Sequence, residues 1–218
     1  MRKYNPELAL MLDFSDIEDK LREKSYTAIC GVDEAGRGPL AGPVVAGAVI
    51  LPRGVELDGV NDSKQLSADA RERIYEEILR LEIPCAVGII DHEVIDRINI
   101  LQASLLAMRK AIGGLKTRPD FILVDGTYTV PNVTQPQYAI VEGDARCRAI
   151  AAASIVAKVT RDRIMDKYQT LYPDFSFSAH KGYATRAHLA ELKKHGPCDI
   201  HRRTFRPVAE IISQYALF

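Results

Sequence analysis

The chain is expected to fold as an α/β protein: a mixed central sheet flanked by helices, with a small helical extension at the C-terminus. Three features predict this. Short β-rich apolar runs at 27–32, 44–51 and 84–90 favour an antiparallel meander of three strands. A fourth run, Phe121, Ile122, Leu123 and Val124, is apolar throughout, the pattern of a central strand covered on both faces. Helical periodicity fills much of the rest, most extensively over 146–171.

The N-terminal stretch 7–24 has the pattern of an acidic amphipathic helix broken near Ser15, and its expected role is packing. The first strand, 27–32, ends in two adjacent acids, Asp33 and Glu34, where a buried strand would leave the core. An arbitrary acidic pair is usually a solvated hairpin end. Side by side, however, two carboxylates repel and raise the pKa of at least one, unless a divalent cation sits between them. Mg²⁺ and Mn²⁺ take oxygen ligands, so the pair suits half of a metal site. Residues 36–43 hold three glycines and two prolines and form a turn. Gly36, Gly38 and Ala41 also fit the dinucleotide pattern G-x-G-x-x-A. That pattern must open a helix, whereas Pro39, Gly42, Pro43 and the valine-rich run behind them predict a second strand over 44–51.

Polar residues 61–67 lead into a helix that Ser67 can cap, with Ile74, Ile78 and Leu81 facing inward. Lys64 in that loop has the character of an ordinary surface lysine. After the strand at 84–90, a helix over 99–112 should stop at Gly113 and Gly114. The apolar run 121–124 finishes in Asp125, so two apolar strands each end in an acid, and strand ends along one sheet edge are where α/β sites assemble. A short strand at 137–141 leads into Glu142, Gly143 and Asp144. In the long helix 146–171, Ile150, Ala153, Ala157, Thr160 and Ile164 make a core face. Ser154, Lys158 and Asp162 lie on another face, by default a solvated one. Beyond 176 the chain is basic, and Lys181, Arg186, Lys193, Lys194, Arg202, Arg203 and Arg206 suit phosphate contact. Tyr183 is either a core aromatic or a stacking platform. His188, His195, Cys198 and His201 have zinc-ligand side chains, but their spacing matches no familiar zinc pattern and Pro197 interrupts it. A last helix begins near Pro207 and offers Val208, Ile211, Ile212 and Tyr215 for docking.

With 218 residues, 47% hydrophobic and 27% charged, the chain suffices for one sizeable core. No run approaches a membrane span, and MRKYNPELAL lacks the apolar centre of a signal peptide, which points to the cytoplasm. Cys30, Cys85, Cys147 and Cys198 form no CxxC pair and fit reduced thiols. The net charge of +0 conceals a segregation: residues 1–108 carry 12 Lys+Arg against 19 Asp+Glu, and residues 109–218 carry 17 against 10. An acidic cation-binding cluster facing a basic phosphate-tracking surface would produce this, and so would chance segregation of solvated charge.

The segment DEAGRGPLAGPVVAGAV, 33–49, resembles the signature of the type 2 ribonucleases H, and its GRG is similar to bacterial ribonuclease HII rather than to ribonuclease HIII, where GKG is found. The likeness continues through DSK at 62–64, AAASIVAKVTRDR at 151–163, HKGYAT at 180–185 and HRRTF at 201–205. The resemblance implies an RNase H-like fold, with 1–200 as a catalytic domain that includes the N-terminal helical segment and 201–218 as a helical extension packed on it. It also implies an endoribonuclease in which Asp33, Glu34, Asp125 and Asp144 hold two Mg²⁺ or Mn²⁺ ions. Such an enzyme hydrolyses the RNA strand of RNA/DNA hybrids and incises duplex DNA on the 5′ side of single embedded ribonucleotides, leaving 3′-OH and 5′-phosphate ends. Gly36, Arg37 and Gly38 would read the ribose 2′-OH, and Tyr183 would stack on the following deoxyribose. Lys64, Ser154, Lys158, His180 and Lys181 would position phosphates or loops. The expected partners are RNA/DNA hybrid and ribonucleotide-containing duplex DNA, with no membrane, and the protein is expected to act as a monomer. Two readings compete: a noncatalytic RNase H-like binding protein, which the presence of all four acids disfavours, and a sequence-unspecific nuclease. GYAT stands where the family usually has GYGT, and Thr204 where HRR is normally followed by Ser.

Overall fold

The computed structural model describes residues 17–60 and 66–215. The upstream part of the expected N-terminal helix, 7–16, and the Lys64 loop, 61–65, lie outside the described residues. In chain order the elements are α1 (Ile17–Glu23), β1 (Ile29–Ala35), β2 (Val44–Ile50), α2 (Ala68–Arg80), β3 (Cys85–Ile90), α3 (His92–Ile98), α4 (Ile100–Gly113), β4 (Phe121–Asp125) and β5 (Gln137–Ile140). A single 3₁₀ turn, Gly143–Ala145, then precedes α5 (Arg148–Leu171), α6 (Phe177–His180), α7 (Arg186–His195) and α8 (Arg206–Tyr215). The five strands form one mixed sheet in the order β3-β2-β1-β4-β5. β1, β2 and β3 are the expected antiparallel meander, while β4 runs parallel to β1 and β5 parallel to β4. The turn at 36–43 therefore opens a strand, as its prolines require.

Helices cover both faces. α5, with α1 and α2, packs on one side around Leu51, Ile78, Leu123 and Ile150, and α3 with α4 packs on the other around Val32, Ile95, Met108 and Ile122. The α5 backbone lies almost on the sheet, because a Cβ on Gly31 would stand 2.1 Å from the Ala149 carbonyl carbon and one on Gly47 would stand 2.3 Å from the Ala153 carbonyl oxygen. Bare glycines beneath an alanine-rich helix allow this approach, which fixes the long helix against the strands that carry the acids. α1 secures the start of α5. Cys147 at its N-cap makes no side-chain capping bond, and Glu18 Oε1 instead accepts from Ala149 N at 2.8 Å and from Cys147 Sγ at 3.1 Å. A carboxylate at a helix N-terminus satisfies an otherwise orphaned donor and complements the helix dipole.

Three local expectations change. The helix expected over 99–112 is α4, but a further helix precedes it: Asp91 caps α3, and Asn99 at φ 66 separates the two before its side chain accepts from Gln102 N to start α4. Leu81 lies past the last turn of α2 and is 41% exposed, leaving Ile74 and Ile78 as the buried stripe. On α5 the core face runs from Ile150, Ala153 and Ala157 into Arg161 and Met165, whereas Thr160 and Ile164 are half-buried. The basic final third contains two further helices, α6 and α7, which pack with α8 and the 36–43 turn around Leu40, Phe175, Phe177, Leu192 and Val208.

Candidate active site

The parallel register of β1 and β4 builds the site. Val32 pairs with Val124, so the next residues along each strand, Asp33 and Asp125, emerge side by side at the same sheet edge. Asp125 Oδ1 accepts from Gly143 N at 2.7 Å and so anchors the 3₁₀ turn that carries the buried Asp144. α5 follows from that turn and brings Ser154 and Lys158 to the same place. The result is a cleft of about 430 Å³ lined by Asp33, Glu34, Asp125, Asp144, Ser154 and Lys158, by the turn Gly36, Arg37 and Gly38, and by Arg71 and Tyr183.

The acids are held under electrostatic stress. Burial pushes the Asp33 carboxyl well above its ordinary range, and the Glu34 and Asp125 charges add to the rise, while hydrogen bonds from the Ser154 hydroxyl and Glu34 N work against it. Burial also raises Glu34, offset mainly by the Arg37 guanidinium, whose Nη1 donates to Glu34 Oε1 at 3.0 Å. Among the described residues no three His, Cys, Asp or Glu side chains converge into a ready-made coordination cage. The donor set nevertheless fits a hard divalent cation. Four carboxylates line the cleft without His or Cys, and the neighbouring negative charges that disfavour the Asp33 anion are those a cation would neutralise.

Of the other residues singled out in the sequence, the cleft takes Gly36, Arg37, Gly38, Ser154, Lys158 and Tyr183, with Tyr183 42% exposed rather than core. Lys158 Nζ also pairs with Asp162 at 2.8 Å and lies 5.9 Å from the Tyr183 ring centroid. His180 does not line the cleft. It is buried, its Nε2 lies 3.0 Å from Glu191 and its Nδ1 accepts from Gly182 N at 3.1 Å, which folds the loop before Tyr183. Lys181 is likewise outside the cleft and pairs with Asp166. Three of the zinc-type side chains make a hydrogen-bonded chain instead: His188 Nε2 lies 3.0 Å from His201 Nε2, and Cys198 Sγ lies 3.1 Å from His201 Nδ1, while His195 is exposed. Arg202, read from sequence as a phosphate contact, is fully buried, whereas its neighbour Arg203 is exposed. Sequence reading also missed Arg71 and the fully buried Arg161. Arg161 did leave a trace, since it stands four residues beyond Ala157 on the apolar stripe of α5, whereas nothing local separates Arg202 from the arginine beside it. Both departures from the family pattern are accommodated. Ala184 needs no left-handed backbone, because no positive φ occurs there, and the Thr204 hydroxyl donates to Asp96 Oδ1 at 2.5 Å.

Comparison with known proteins agrees with this architecture. The sequence profile described as Ribonuclease HII matches residues 30–208. The chain is 53% identical over 196 residues to a ribonuclease HII of Geobacter metallireducens, covering 90% of this chain and 92% of that one. It is 50% identical over 214 residues to a ribonuclease HII of Chlamydia trachomatis, covering 97% and 98%. The crystal structure of ribonuclease H2 from Pyrococcus horikoshii superposes with a TM-score of 0.71 at 28% identity, over 86% of this chain and 98% of that one. The mixed sheet and its flanking helices are thus an RNase H-like fold.

Proposed function

The chain belongs to the ribonuclease HII family, an endoribonuclease family, and from that premise we propose that it cleaves the RNA strand of RNA/DNA hybrids and incises duplex DNA 5′ of a single embedded ribonucleotide, in a divalent-metal-dependent hydrolysis. What carries the reading is the register that brings the β1 and β4 acids together within one cleft, beside a glycine turn and an exposed tyrosine. Asp33, Glu34, Asp125 and Asp144 would hold Mg²⁺ or Mn²⁺. Bound there, two such ions supply Lewis-acid activation of water and stabilise charge on the phosphoryl group and the leaving 3′ oxygen.

The remaining roles belong to this chain's own side chains. Ser154 donates to Asp33 and orients it, and Gly143 N does the same for Asp125. Lys158 offers a cation to a backbone phosphate, with Asp162 holding its ammonium in place between turns of α5. The Gly36, Arg37 and Gly38 turn lies where it can meet the 2′-OH, the one group that separates ribose from deoxyribose, and Tyr183 faces it with a ring free to stack on the next sugar. No histidine lines the cleft, and His180, His188 and His201 are buried in the C-terminal cluster. The histidine acid and base that would make the 2′-OH a nucleophile are therefore missing from the lining.

The test is the identity of the ends. A labelled duplex with one ribonucleotide, incubated with Mg²⁺ or Mn²⁺, should yield 3′-OH and 5′-phosphate termini on the 5′ side of the ribose by mass, and EDTA should stop the reaction. A 2′,3′-cyclic phosphate, or equal cutting of an all-deoxy control, would overturn the reading.

A further inference from the structure

We propose that Arg202, contributed from far along the chain, is a positioning residue for ribose recognition: by holding the carbonyls of Gly36 and Arg37 inward, it aims the amide N–H groups of Arg37 and Gly38 into the cleft. The inference rests on the functional reading above, which gives that turn the 2′-OH.

Arg202 spends its whole fork on the turn. Its Nη2 donates to Gly36 O at 2.6 Å, its Nη1 to Arg37 O at 2.9 Å and its Nε to Gly42 O at 3.0 Å. Arg161 of α5 completes the frame, donating from Nε to Pro43 O at 3.0 Å, from Nη2 to Ala41 O at 3.2 Å and from Nη1 to Lys181 O at 3.0 Å. Both guanidiniums are fully buried, and neither makes a salt bridge within 4.0 Å to a carboxylate among the described residues. Burying cations without counter-ions is costly, and burial pulls the Arg202 guanidinium down to about 9. What they supply in return is geometry, since a planar guanidinium fixes the directions as well as the positions of the carbonyls it binds.

Those directions have a consequence through the peptide bond. In a trans peptide the C=O of one residue and the N–H of the next point in opposite directions. With the Gly36 and Arg37 carbonyls turned to Arg202, the Arg37 and Gly38 N–H groups are turned away from it, and neither finds an acceptor among the described residues. The same residues line the cleft. Tyr183 stands across from them, because a Cβ added at Gly38 would touch its Cε1 at 3.8 Å, and the Arg161 guanidinium carbon lies 5.8 Å from the Tyr183 ring centroid. One pair of buried arginines thus sets both sides of the place where a sugar would sit. Two adjacent outward N–H groups are a donor pair for an oxygen acceptor, which a 2′-OH provides and a 2′-H does not.

The test uses the full-length protein. Arg202→Gln and Arg202→Lys should lower kcat/KM on a duplex with one ribonucleotide roughly 10- to 100-fold, the cost of about an ångström of misplacement, and shrink the ratio of ribo to all-deoxy cleavage. Mn²⁺ affinity, read by calorimetry, should stay near wild type because the acids are untouched. Lys keeps the charge but not the fork, so failure of Lys to rescue separates direction from charge. A purely structural loss would reduce all cleavage together and leave the ratio intact. A second arm needs no variant: in ¹⁵N-labelled wild-type protein with EDTA, the Arg37 and Gly38 amide resonances should shift on adding the ribonucleotide duplex and much less with the all-deoxy duplex. Equal cutting of the all-deoxy duplex by wild type sinks the functional reading itself. Discrimination by wild type, with an unchanged ratio in a folded Arg202 variant or with amides that ignore the 2′-OH, overturns the positioning role alone.

Discussion

At the scale of single residues the acids of the cleft dominate: Asp33, Glu34 and Asp125 were legible because they stand where an apolar run ends in charge, whereas Asp144 comes after Glu142 and Gly143 and was marked mainly by the resemblance. Asp125 combines two jobs, facing Asp33 across the register and accepting from Gly143 N. Asp125→Asn removes a negative charge and little volume, so duplex binding should persist while turnover falls by at least about 10²-fold, the scale of several kcal/mol of lost transition-state stabilisation. Near-normal turnover in a folded variant would remove Asp125 from the site. Asp33 carries a separate thermodynamic prediction. Its folded-state pKa is raised, so the folded protein holds a proton that the unfolded chain releases. The Asp33 contribution to metal-free stability is then greatest at low pH and declines as pH rises through the raised value. Asp33→Asn should accordingly raise the metal-free Tm at neutral pH by at least about 2 °C while abolishing cleavage, and a lower Tm would contradict the stressed-carboxylate picture. Arg161 and Arg202 were not legible in the same way. The acceptors that make their burial tolerable are backbone carbonyls up to 166 residues distant, which no local pattern reports.

Elements were legible where periodicity was strong and obscure where short polar signals decide. All five strands and the long helix were expected within a few residues, because apolar runs and helical spacing encode them directly. The start of α4 at Asn99 was expected, but α3 just before it was missed, since seven residues with one buried side chain, Ile95, show too little apolar period to mark a helix. α6 and α7 were missed for a related reason. Their buried face is built largely from histidines and phenylalanines, with His180 and His188 stacked at 4.1 Å between ring centroids. This cluster predicts a pH response. Burial lowers His188, and burial together with the His188 and His180 charges takes His201 down to about 3, with the facing Glu191 and the Tyr183 carbonyl partly opposing the shift at His188. Folded-state values below the ordinary 6.5 mean that the unfolded chain binds protons first. The stabilising contribution is complete above about pH 6.5 and is lost as pH falls toward 3. This contribution runs opposite to that of Asp33, so it is read as a difference: His201→Asn should lower the midpoint at pH 7, and its gap from wild type should narrow between pH 7 and pH 4. An unchanged gap would place the acid response elsewhere.

Over the whole molecule the cleft does not divide by halves: Asp33, Glu34 and Arg71 come from the acidic half of the chain, and Asp125, Asp144 and Lys158 from the basic half. Sequence counts alone could not show this, because only the parallel pairing of distant strands decides which charges face each other. Part of the basic surface is real and part is scaffold. With Arg202 buried, salt sensitivity should follow cleft cations, and Lys158→Gln should reduce the slope of log K against log salt by about 0.9, the loss of one phosphate contact. No change in slope would take Lys158 off the phosphate path. The expected role of the N-terminal helix is packing alone, yet α1 also holds the start of the helix that frames the cleft. Glu18 is buried, accepts from Ala149 N and Cys147 Sγ, and stands 4.0 Å from Arg148 Nε. Glu18→Ala removes the side-chain cap that α1 places on α5, at a cost of about 1–2 kcal/mol, which for a chain of this size is a fall of roughly 2–8 °C in Tm. Because the acids of the cleft keep their own hydrogen bonds, kcat below the melting range should change far less than in Asp125→Asn. A variant as stable as wild type would show that α5 does not depend on α1 for its cap, and a variant as inactive as Asp125→Asn would show that Glu18 shapes the cleft itself.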